Sequence, residues 1–341
     1  MAKIIEREAV NDEAAGSSRL YTLQPIPTKG YGLVATTRIP KGTRILSEAP
    51  LFIVPRGISD MQTVERIVME QLRRLNKDQQ RAFFALRNSH GSSLKPPVGI
   101  VRTNALALGT DASRGGLFLE AARINHSCRN NAQNTWNAEL GRLTIHAGRD
   151  IEAGQEITIT YADPLADCAE RRRFLQDHFF FTCECEICLL PPAERAESDK
   201  RRRRLGQLDA AVGGLGHLMA KPLPGLQLVH EMLSLYEAED LCDASIPRAY
   251  YDAFQIAIAS GHKIRARVFA TRAYVTRRVV EGDDSPDVRG NKGLIDRPED
   301  HRLYGVFKTS VRETGPPPQS DAGAFEDWLW IKSKWSKTPP I

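Results

Sequence analysis

The chain has 341 residues, 41% hydrophobic and 26% charged, and its 47 Lys and Arg against 42 Asp and Glu give a formal net charge of +5. That is the composition of a soluble globular protein with room for two cores, and no apolar run approaches the roughly 18–20 residues of a membrane span. The charge is too mild to indicate nucleic acid or a lipid surface by itself.

The first residues, MAKIIEREAVNDEAAG, carry acidic side chains and no apolar signal-peptide core. An intracellular setting, cytoplasmic or nuclear, is therefore expected, and cysteines there read as metal ligands before disulfides. Residues 19–56 show short apolar stretches broken by Gly and Pro, as strands and turns do. Within them Gly30 and Gly32 bracket Tyr31; the spacing alone is that of a β-turn, although glycine also lets a ligand approach main chain. From 59 to 90 the pattern becomes helical, with Val64, Ile67, Val68, Leu72 and Leu75 on one face.

Residues 91–162 return to strand-like alternation, with turns at SRGG and NAELGR. Here stand Asn104 in RTNALAL, and Asn125, His126 and Cys128 in RINHSC. Taken alone, a buried Asn or His is more often structural. ITITY alternates, which puts Ile157, Ile159 and Tyr161 on one strand face. Asp163 and Pro164 read as the N-cap and first residue of a helix, PLADCAERRRFLQ, whose stripe holds Leu165, Cys168 and Leu175.

Cys183, Cys185 and Cys188 then form C-x-C-x-x-C. Structural zinc takes four tetrahedral ligands with Zn–S of about 2.3 Å, so three local thiolates imply a fourth donor. His178 is near but sits at a helix end; His126 and Cys128 are the distant alternatives. Cys168 and Cys242 lie in helical patterns as small core residues. Because CECEIC interleaves glutamates rather than basic and aromatic residues, direct nucleic-acid binding is not expected.

After the boundary LLPPAERAESDKRRRR, helical patterns run to about 281. KRRRR (200–204) reads as the solvated face of a helix start. Ala253, Gly261, Ala266 and Ala273 punctuate what looks like a tetratricopeptide-type hairpin, a unit whose stacked form offers peptides a surface. Beyond ETGPPPQSD, Phe325, Trp328 and Trp330 read as a clamp holding the tail to the body. The plan is an α+β unit over 19–178 with a helical insertion at about 59–90, a cysteine segment at 179–190, a helical unit at 199–285 and a tail at 286–341.

Four ordered pieces, KGYGLVATTRIPKGTRI (29–45), RINHSCRNN (123–131), IEAGQEITITYAD (151–163) and FFFTCECEIC (179–188), resemble the SET-domain protein lysine methyltransferases. The likeness covers residues 19–188. It implies an α+β fold: a SET β-fold of small sheets with a pseudo-knot, a crossing rare in proteins, then a zinc-binding post-SET segment and the tetratricopeptide-like helical domain. S-adenosylmethionine would be the methyl donor, with Lys29, Gly30, Tyr31 and Gly32 at its amino-acid end. Asn125, His126, Phe179 and Phe181 would complete that side, Phe181 over the adenine. Tyr161 would be the catalytic residue, sharing the substrate channel with Asn104 and Phe179. Cys128 would join Cys183, Cys185 and Cys188 on one structural zinc, and the helical part would overhang the substrate cleft.

Three departures from the family pattern stand out. Asn130 takes a place where Pro is expected, while Asn131 keeps the final Asn. Phe179 replaces the Tyr common in the related SET-and-MYND proteins, and the insertion lacks the cysteines of a MYND finger. The implied partner is a lysine-bearing protein, histone or otherwise, with a further peptide possible at the helical domain. The competing reading is a silent SET scaffold that binds peptides through that domain.

Overall fold

The computed structural model describes residues 19–109, 113–214, 222–307, 313–318 and 321–335. The acidic N-terminal stretch read above, and two residues of the proline-rich segment, lie outside them. The first strands, β1 (Tyr21–Ile26) and β2 (Gly30–Ala35), form an antiparallel hairpin whose turn is closed by Lys29 N–H on Ile26 O. Next come β3 (Arg44–Glu48) and β4 (Phe52–Pro55), then the inserted helices α1 (Met61–Arg73), α2 (Lys77–Phe84) and α3 (Pro96–Asn104). Asp60 caps α1 through the amides of Gln62 and Thr63, and Asn76 with Gln79 makes a capping box on α2. Helix α3 interrupts a stretch that the sequence presents as strand-like. It begins on two prolines, which suit a first turn because they lack the amide it cannot bond.

Short strands follow: β5 (Leu106–Ala107), β6 (Arg114–Leu117), β7 (Asn125–His126), β8 (Ala132–Asn137), β9 (Arg142–Ala147) and β10 (Thr158–Ile159). They make two three-stranded sheets, β3-β9-β8 and β4-β6-β5, and a parallel β7–β10 pair. The pair matters most for function. It lays Asn125 beside Thr158 and His126 beside Ile159, and Asn131 Oδ1 accepts the Thr158 amide at 2.8 Å. Leu33, Ile39, Leu143, Ile145, Ile157 and Ile159 are buried in one core around these elements. The insertion has its own core, in which Val68 and Leu72 of the anticipated stripe are buried with Phe52, Phe83 and Leu117.

Helix α4 (Cys168–Phe179) starts later than the sequence suggests. Its N-cap is Asp167, not Asp163, because Glu170 three residues on completes a capping box. Asp163 instead accepts the Leu165 amide in a local turn at 2.9 Å. Helices α5 (Pro192–Gly213), α6 (Pro222–Ala238), α7 (Ser245–Ala259), α8 (Lys263–Glu281), α9 (Pro286–Asp296) and α10 (Ala322–Leu329) follow. Trp330, 2% exposed, packs into the core of this helical unit with Phe254 and Phe269, and Phe325 and Trp328 lie against the same core, so the aromatic tail folds back onto the body.

The arginine run on α5 is not a solvated face. Four consecutive residues of an α-helix span every side of it, so one must point inward. That one is Arg202, fully buried and paired with buried Glu239 at 2.8 Å. Arg201 joins the same carboxylate at 2.6 Å, while Arg203 pairs with Asp167 and Arg204 with Glu231. The helical unit docks through this network and through α8, which packs on β8 and β9. Asn137 Nδ2 donates to Asp284 O at 3.0 Å, and Cys242 Sγ to Asn130 O at 3.2 Å.

Candidate active site and metal centre

A metal-ligand set is assembled from two distant segments. The sulfurs of Cys128, Cys183, Cys185 and Cys188 all lie within 4.8 Å of one another, with Cys128 3.9 Å from Cys183 and 3.6 Å from Cys188. A tetrahedron with Zn–S near 2.3 Å has edges of about 3.8 Å, so the donor set fits zinc in both chemistry and size. His178 is outside the group; its ring is exposed and its Nδ1 lies 2.9 Å from Phe174 O. As free thiols these groups share protons. Hydrogen bonds to Cys183 and Cys185 push the Cys128 thiol up, while Cys185, accepting from the other three, is held well down.

Two arginines of α4 serve this cluster. Arg171, wholly buried, donates from Nε to Cys128 Sγ at 3.1 Å, and Arg172 donates to the carbonyls of Cys183 and Cys188 at 3.1 and 3.0 Å. Four thiolates around a dication leave two negative charges, and a buried guanidinium offsets part of that. His126 adds a third partner. Its Nδ1 accepts the Tyr161 amide at 3.0 Å, which puts the ring proton on Nε2, 3.3 Å from Cys128 Sγ. Burial lowers its pKa to about 4, so the imidazole is neutral near pH 7.

On the opposite side of Asn125 lies the glycine strand. Gly30 has φ of +82°, a conformation that suits glycine. A β-carbon at Gly32 would stand 2.7 Å from Asn125 Nδ2 and 2.8 Å from Glu156 Oε1. Asn125 donates to Tyr31 O at 3.2 Å and to Glu156 Oε1 at 2.7 Å, and Lys29 pairs with Glu156 Oε2 at 2.7 Å. Lys29 and Asn125 are thus held on one carboxylate, and Asn125 in turn holds the Tyr31 carbonyl. Tyr31 itself is half-exposed and Gly30 before it is exposed, while Gly32 is buried.

Tyr161 stands between this strand, the sulfur cluster and a cleft of about 870 Å³. Its hydroxyl donates to Ile124 O at 2.5 Å, and burial raises its pKa, so the phenol stays protonated. The Phe179 ring lies 4.9 Å from it, and His126 lies 5.4 Å from Tyr161 and 6.2 Å from Phe181. The left-handed Phe180, φ of 60°, ends α4 and turns both its neighbours inward, while its own ring faces out against His90. Asn104, Thr160, Phe174 and Phe179 line the cleft with Tyr161. Asn104 is buried, and its amide protons go to Arg87 O and Ile100 O.

A SET domain profile matches residues 30–162. Over 287 residues the chain is 34% identical to the histone-lysine N-methyltransferase set5 of Schizosaccharomyces pombe, covering 84% of this chain and 86% of that protein. The chain belongs to the SET-domain protein-lysine N-methyltransferases. Human SMYD3 is 41% identical over 73 residues (21% of this chain, 17% of SMYD3), and human SMYD2 33% over 86 residues (25% and 19%). Those two likenesses are local, whereas the set5 likeness extends through most of the chain.

Two residues of the SET enzyme's site were not singled out by the sequence. Glu156, the shared anchor of Lys29 and Asn125, looks like an ordinary polar position at the head of an alternating strand. Arg171 is one of three consecutive arginines in α4, and only the neighbouring Leu175, four residues on, hints that its face is inward. The expected overhang of the helical part is not found: among the described residues, the cleft is lined only by residues 54–179. The helical unit is held instead against β8 and β9, and through Arg202, which donates to Pro164 O. No helix among the described residues is long and apolar enough to cross a membrane.

Proposed function

We propose that this SET enzyme moves a methyl group from S-adenosylmethionine to the deprotonated ε-amine of a protein lysine, with one structural zinc on Cys128, Cys183, Cys185 and Cys188. The single observation that carries the reading is the position of Tyr161, shared by the glycine strand, the aromatic pair and the cleft. When bound, the donor supplies a methyl group on a positive sulfonium. The main chain of Lys29–Gly32 and the Asn125 amide would hold its amino-acid end, and Phe181 and Phe179 would pack against its ring system. Gly30 supports this with an exposed backbone at a positive φ that favours glycine, and Gly32 with a close approach to Asn125 that leaves no room for a β-carbon.

The cleft admits the lysine from the other side. Burial beside a positive charge disfavours the ammonium, so the amine enters neutral. Aligning two reactants in this way supplies on the order of 7–11 kcal/mol. The Tyr161 hydroxyl, its proton committed to Ile124 O, turns its lone pairs toward the developing charge. Zinc would tie the His126 segment to the segment after α4 and so fix both aromatic neighbours of Tyr161.

The name of the set5 relative makes histones the first substrate to try and the nucleus one site of action, alongside the cytoplasm. The α7–α8 hairpin, with Ala253, Ala266 and Ala273 buried between its helices, supports a single tetratricopeptide-like unit. Incubation of the whole chain with radiolabelled S-adenosylmethionine on a peptide array tests the function. Label on lysine peptides and none on their Lys→Arg partners is expected; an unlabelled array would contradict the proposal.

A further inference from the structure

The walls of the Tyr161 cleft carry opposite charges that no ion pair among the described residues uses. Arg56, after β4, and Arg102, on α3, both line the insertion wall, and both are exposed. Neither has a carboxylate within ion-pair distance among the described residues, although most arginines elsewhere in the chain do. Arg102 reaches only the Met61 sulfur, at 3.2 Å. Arg56 runs its stem over Gly115, where a β-carbon would lie 3.4 Å from Cδ; the missing side chain leaves the stem its bed. The wall formed by α4 carries Asp177, exposed and likewise without an ion pair among the described residues.

Fixed charge on concave walls acts more strongly than on open surface, because less solvent screens it. Such charges set the identity and direction of a bound peptide more than they set raw affinity. We propose that Arg56 and Arg102 select substrates in which an acidic residue flanks the target lysine and lies on the insertion wall. The inference rests on the cleft being where the substrate lysine enters.

The test measures binding and transfer on the same short fluorescent peptides, each with one lysine flanked by Glu, Gln or Arg. Wild type should bind the Glu peptide roughly tenfold more tightly than the Gln peptide, with the ratio falling as salt rises. Arg56→Gln/Arg102→Gln should bring that ratio close to one, Arg56→Lys/Arg102→Lys should keep most of it, and Arg102→Glu should favour the Arg peptide. The lysine variant guards against a loss caused by misfolding. A flat Glu-to-Gln ratio in wild type, an unchanged ratio in the glutamine variant, or tightest binding of the Arg peptide overturns the inference. Transfer with a flat ratio overturns it alone, whereas an intact ratio without transfer to any peptide overturns the proposed reaction instead.

Discussion

At Gly32 an added β-carbon would crowd Asn125, Glu156 and Ile26 at 2.7–2.8 Å, and the first two are joined by a hydrogen bond that displacing either would disturb. Gly32→Ala is therefore expected to weaken S-adenosylmethionine binding by about tenfold or more, read by titration calorimetry, because overpacking of this kind costs about 1–3 kcal/mol. Affinity equal to wild type would remove the strand from the donor site. At this scale much was legible. Cys183, Cys185 and Cys188 announce a metal site by type and spacing. The glycines, Asn125, His126 and the choice of Cys128 were legible only through the resemblance to SET proteins. The structure gathers the four sulfurs and lays Asn125 against the glycine strand. What was hidden are the residues that hold them. Glu156 reads as a solvent-facing polar residue, and nothing in FFFT indicates that the middle Phe takes a left-handed turn so that its neighbours can face Tyr161.

The elements that build the site are short and held by side chains rather than by long ladders. The β7–β10 pair has two residues on each strand, and Asn131 and His126 extend it by bonding to Thr158 and Tyr161. Cys128, two residues past β7, joins this pair to the segment after α4. Cys128→Ser replaces a thiolate by a poor zinc ligand, so zinc after exhaustive dialysis should drop from about one ion per chain to well below that, measured by elemental analysis. A full complement in the variant would assign the fourth place to another donor. The start of α4 shows how an element can be misjudged for a definite reason. Asp163 followed by Pro is a good N-terminal signal, but Asp167 with Glu170 is a better one, since it satisfies two amides rather than one. The arginine run on α5 misleads differently: composition says solvent, while helical geometry and the carboxylate of distant Glu239 bring Arg202 inside.

For the molecule as a whole, the helical patterns were readable but their docking was not, because it relies on main-chain carbonyls near residues 280–284 and on buried charges that no local pattern marks. The interface holds one group with a clear pH signature. His146 is 1% exposed beside Arg44, which donates to its Nε2 at 3.3 Å and also pairs with Asp284. Burial first, and then Arg44, lowers its pKa from 6.5 to about 4. An unfolded chain therefore takes up this proton at a higher pH than the native one. The stabilisation is complete above about pH 6.5 and is lost as the pH falls toward 4, a difference on the order of 3 kcal/mol. Urea unfolding at both ends of that window should show a steeper decline for wild type than for His146→Gln; parallel profiles would contradict the assignment. In the proposed reaction, strand, sulfur cluster and cleft converge on one phenol to move a methyl group. A mass-spectrometric time course of lysine-peptide methylation, with wild type and zinc-loaded Tyr161→Phe side by side, tests it most directly. Methyl increments that accumulate with wild type and slow by about a hundredfold or more in the variant are predicted, and equal rates in the two proteins would contradict it.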